Sequence, residues 1–161
     1  MSWNKDCILI TNFEETDLVK AVHLIGYPML TQGSDVDFRT AFNNKGEEMP
    51  FGLIDNFLWI LSPTQVEKFF TEEPSVLEKN LCKKFPNSTI IALEENSTVD
   101  SFGFSLIQKG QRVSVLNGCD GEYSYEFGDP IQEENIVINK YLANIPKKKK
   151  TKYLKTKEKL V

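Results

Sequence analysis

Polar and apolar positions alternate most regularly between Ser101 and Glu126, and this alternation predicts an antiparallel meander. Along Ser101–Gln108, Phe102, Phe104 and Leu106 point one way, and Gly103, Ser105 and Ile107 the other. Lys109-Gly110 reads as a two-residue hairpin turn, with Gly supplying the positive φ of a primed turn. That turn pairs Gln108 with Gln111, Leu106 with Val113 and Phe104 with Val115. Closing the loop Asn117–Gly121 as a second hairpin sets Val115 against Tyr123, Val113 against Tyr125 and Arg112 against Glu126. One face then carries Phe102, Phe104, Leu106, Val113, Val115, Tyr123 and Tyr125, and it needs a cover. Thr89–Glu94, which follows the breakers Pro86 and Asn87, adds a further strand.

Before the meander the period changes. Cys7-Ile8-Leu9-Ile10 is an unbroken apolar run, as expected of a central strand. Asn12, with Glu15 three positions on, predicts a helix start; Leu18, Ala21, Val22 and Ile25 share one helical face, and Gly26 and Pro28 end it. Asp35–Phe42 alternates again, with Val36, Phe38 and Phe42 opposite Asp35, Asp37 and Arg39. Phe57–Leu61 reads as a buried strand set off by Asp55-Asn56. Ser62-Pro63-Thr64-Gln65 has the form of a capping box, which turns Val66, Phe69 and Phe70 toward the core. A second helix is expected over Pro74–Lys84, with Leu77, Leu81 and Phe85 inward. Asp129-Pro130-Ile131-Gln132 repeats the start signal for a last helix to about Leu142, although the consecutive Ile136-Val137-Ile138 suit a strand equally.

This order predicts an α+β fold: a largely antiparallel sheet, including the C-terminal meander, with helices packed on at least one face. A chain of 161 residues is expected to make one globular domain, 1–145, followed by a Lys-rich tail, 146–161.

Charge divides along the same boundary. From Lys147 onward there are eight lysines and Glu158, a net charge of +7, and the preceding residues carry 11 basic and 22 acidic side chains, a net charge of −11. An acidic body repels nucleic acid phosphates, so only the tail, through Lys147, Lys148, Lys149 and Lys150 with Tyr153 as a stacking residue, offers them attraction. No apolar run approaches the ~18 residues of a membrane helix. The N-terminus lacks a basic segment leading into a long apolar one. Cys7, Cys82 and Cys119 are an odd set without CxxC spacing and read as reduced thiols. The expected compartment is the cytoplasm.

Candidate chemistry is sparse. The chain has no P-loop, GxGxxG, HExxH or GxSxG pattern. His23, the single histidine, lies off its helical stripe and reads as a surface residue. No metal or cofactor is expected. The row Asp35, Asp37 and Arg39 offers paired carboxylates beside a cation, an arrangement that could bind a metal or serve acid/base chemistry, although a solvated strand face in which Arg39 offsets Asp37 is the plainer reading. Asp120, Glu122, Asp129, Glu133 and Glu134 concentrate acids without following an EF-hand order, and suit a patch for a basic protein. The leading expectation is therefore a non-enzymatic protein-interaction module, of immunity- or antitoxin-like kind. The alternatives are an enzyme using Asp35, Asp37 and Arg39, and non-specific nucleic-acid binding through the tail.

Phe102–Glu134 also resembles a segment of a bacterial domain family of unknown function. The likeness rests on the Gly-containing hairpin turn, on Arg112 soon after it, and on Gly128-Asp129-Pro130-Ile131 followed by Glu133 and Glu134. It implies a small bacterial cytosolic domain and brings no activity with it.

Overall fold

The strand Asn4–Ile10 (β1) lies inside the sheet with a neighbour on each side, as its apolar run predicts. A computed structural model describes residues 4–15, 17–26, 40–41, 49–120 and 122–129. After β1 come helix α1 (Leu18–Leu24) and the strands β2 (Phe51–Ile54) and β3 (Phe57–Leu61). A single helical turn, α2 (Pro63–Val66), then tightens into a 3₁₀ turn, Glu67–Phe69. Helix α3 (Val76–Lys84) and strands β4 (Thr89–Asn96), β5 (Ser101–Gln108), β6 (Gln111–Cys119) and β7 (Glu122–Phe127) follow. The strands form one seven-stranded sheet in the order β2-β3-β1-β4-β5-β6-β7, with every neighbouring pair antiparallel. The described fold is thus dominated by an antiparallel sheet, with a few short helices. Two compact units divide the chain, Met1–Gly128 and Asp129–Val161. The helix expected from Pro130 to Leu142 and the Lys-rich tail lie outside the described residues.

Cross-strand pairing sorts the sheet into two faces. Ile60, Ile8, Ala92, Ser105 and Val115 form one transverse row, and Leu58, Ile10, Ile90 and Ile107 the next. These positions join Ala21, Ile25, Val66, Phe69, Phe70 and Leu81 in the core. Each fully buried aliphatic or aromatic side chain there contributes roughly 1.5–3 kcal/mol of transfer free energy. The second face carries Leu9, Trp59, Ile91, Phe104 and Leu116, all half-buried, and Leu93, which is exposed.

The meander has the expected strands but not the expected register. The turn Lys109-Gly110 is as predicted, with φ of 53° and 69°, and Gln108 pairs with Gln111. A β-bulge then intervenes: Ile107 pairs with Arg112 but Leu106 with Ser114, so Val113 is the extra residue. Phe104 therefore faces Leu116, and Val115 faces Ser105. A second shift between Asn117 and Gly118 pairs Gly118 with Tyr123 but Asn117 with Tyr125. Tyr123 stays beside Phe102 on the second face, ring centroids 5.8 Å apart, whereas Tyr125 packs against the core. Arg112 and Glu126 are not partners; Glu126 pairs with Leu116.

The inversion of faces has a physical reason. Gly103 and Ser105, not Phe102 and Phe104, point into the core because the Phe70 ring occupies the space over Gly103, where a Cβ would overlap it. Small residues on one wall accept large ones from the other, and volume decides the fit rather than apolarity.

Local start signals fare unevenly. The N-cap of α1 is Asp17, whose Oδ1 accepts from Val19 N–H (3.0 Å) and Lys20 N–H (3.1 Å); Asn12 instead sits at φ 53°. Ser62 and Pro63 hold the N-cap and N1 of α2, but no side-chain capping bond forms, and Ser62 Oγ lies 3.3 Å from Thr64 Oγ1. Ser75 caps α3, its Oγ accepting from Glu78 N–H (3.2 Å). Thr40 and Ala41 are helical, so the strand expected over Asp35–Phe42 does not run through them.

Candidate functional site

Two charged clusters stand on the core face, one at each end of the strands. The first is built on Glu78 of α3. Its spacing from Leu81 and Phe85 puts it on the helix's inward stripe, and its side chain is 1% exposed. Arg112, held inward beside Ile107 by the bulge, meets it with a side chain 6% exposed. Arg112 Nε donates to Glu78 Oε1 (2.9 Å) and Nη2 to Oε2, the bidentate fork expected of guanidinium and carboxylate. Nη1 donates to the carbonyls of Thr71 (2.6 Å) and Glu72 (3.1 Å), and Tyr125 Oη donates to Glu72 O (3.2 Å). Burial alone would lower the Arg112 pKa, but the bond to Glu78 and its charge outweigh this and raise it. The cluster is neutral, and it ties the segment after the 3₁₀ turn to β6 and β7.

The second cluster forms where β1 begins and β4 ends. Asp6 and Glu94 are direct Cα partners on the core face, and Glu94 Oε1 accepts from Ser101 Oγ (3.0 Å). The Asp6 carboxyl is pushed up to about 6, chiefly by burial, then by the charges of Glu94 and Glu67. The turns at this end are fastened together: Asp120 N–H donates to Asp100 O (3.1 Å), and Cys119 Sγ to Val99 O (3.0 Å). Asp100 and Asp120, at φ of 48° and 53°, therefore stand side by side, and both are exposed, as are Glu122 and Glu95. No ion pair joins Asp6, Glu94, Asp100, Asp120 or Glu122 to a cation among the described residues. The opposite end is mixed. Lys109 lies in its hairpin turn, the end of α3 with Lys83 and Lys84 approaches Gly110, and Asp55 sits in the β2–β3 turn.

Asp120 and Glu122 thus belong to an acidic end that also contains Asp6, Glu94, Glu95 and Asp100, which sequence reasoning missed. The signal for Asp6 and Glu94 was present: each stands in phase with the core residues of its strand, Ile8 and Ile10, or Ala92 and Ile90. Asp129 is exposed and belongs to the second compact unit. Asp35, Asp37, Arg39, Glu133, Glu134 and Lys147 to Lys150 lie outside the described residues.

Among the described residues no group of three or more His, Cys, Asp or Glu is arranged to hold a metal ion. Burial raises the thiol pKa of Cys7, to about 12, and those of Cys82 and Cys119, with Glu78 and Asp120 adding to the last two. The raised pKa works against the thiolate that a nucleophile needs. At the acidic end the available chemistry is attraction. A cationic group 4 Å from one carboxylate gains about 1 kcal/mol in water and about 4 kcal/mol at a partly desolvated contact. No described helix is long and apolar enough to cross a membrane. Comparison of the chain with protein-family models, with curated proteins and with solved structures finds no match.

Proposed function

We propose that the chain is a cytoplasmic, non-enzymatic interaction module, with helices covering the core face of its sheet and its acidic end meeting a basic protein partner. Inhibition of a basic enzyme, as immunity and antitoxin proteins do, is one form this would take. The observation that carries the reading is the group of exposed carboxylates, Asp100, Asp120 and Glu122, at the joined β4–β5 and β6–β7 turns, on a body of net charge −11. Such a field reaches about 8 Å at physiological ionic strength, and it acts mainly on association rate and on exclusion of acidic competitors.

Affinity capture from lysate at roughly 50 and 300 mM salt tests it, since screening over that range shortens the field about 2.4-fold. Basic proteins are expected on the wild-type chain at low salt and to be lost at high salt. The triple reversal Asp100→Lys, Asp120→Lys and Glu122→Lys should abolish capture, while Lys83→Glu with Lys109→Glu should leave it intact. Removing residues 147–161, which carry +7, should speed association with the captured protein. Capture indifferent to the triple reversal, or recovery of nucleic acid alone through the tail, overturns the reading.

A further inference from the structure

We draw no further inference here: the strongest candidate, the apolar second face of the sheet around Leu9, Trp59, Ile91, Leu93 and Phe104, carries nothing because no feature among the described residues shows what covers it.

Discussion

Glu78 and Asp6 are both carboxylates on the core face of one sheet, and their surroundings differ in every respect that matters. Both Glu78 oxygens accept from one guanidinium, which also satisfies two backbone carbonyls. Burial works most against the Asp6 charge, followed by Glu94 across the strand pair and Glu67 from the 3₁₀ turn. A buried charge with all its partners holds structure together; a set of like charges without them weakens the fold locally and leaves a field outside. The contrast separates the end of the sheet that fastens the chain from the end we assign to recognition.

The sharpest way to break this division is Arg112→Met. It leaves Glu78 buried without a partner and strips donors from Thr71 and Glu72, so a loss of about 3–5 kcal/mol is expected in urea unfolding. Adding Glu78→Leu should recover much of it, because an apolar pair of similar volume avoids the desolvation penalty. A single variant within about 1 kcal/mol of wild type, the range of a surface ion pair, would place this pair with the surface charges and dissolve the contrast.

A smaller effect is expected at Gly103, in the transverse row between Glu94 and Asn117, where the packed core gives way to the acidic end. Gly103→Ala brings a Cβ into the Phe70 ring, which is itself 7% exposed and has little room to retreat. Overpacking of this kind costs roughly 1–3 kcal/mol. An unchanged melting temperature would mean that Phe70 moves freely, and that the core does not extend to this row.

The sequence made most elements of this sheet legible, the edge strand β2 excepted, and hid their relations. Strand β5 was readable to the residue, and the Lys109-Gly110 turn to its positive φ, because local sterics set both. The bulge at Val113 was invisible because Val113 and Val115 are both apolar, so alternation reads equally well with or without an extra residue between Arg112 and Ser114. Glu78 was legible as an inward helix position only if a charge is allowed there, and its warrant, Arg112, lies on a distant strand. The acidic end was half legible. Asp120 and Glu122 stood out as a run, but Asp6 and Glu94 join only through β1–β4 pairing, and Asp100 only through the bond that ties the two turns.

The smallest expected effect is the pH dependence of Asp6. A carboxyl held at about 6 in the folded chain, against 3.8 without its surroundings, binds its proton more tightly folded than unfolded. Its contribution to stability is therefore fully present below pH 4 and is lost as pH rises through 6, the reverse of an ion-paired acid. Asp6→Asn removes the titrating group while keeping its size, so the variant should match wild type near pH 4 and exceed it at pH 7. Because Asp6 is only partly buried, solvent screening reduces the gain to about 1 kcal/mol. Urea midpoints of the two proteins at pH 4, 5, 6 and 7 are the measurement. A gap that opens between pH 4 and 6 confirms that the Asp6 charge is held against its surroundings, burial first and the neighbouring carboxylates after it. A variant less stable than wild type at pH 7 would mean that Asp6 has a compensating donor and belongs with Glu78, leaving the exposed turns alone to carry the field.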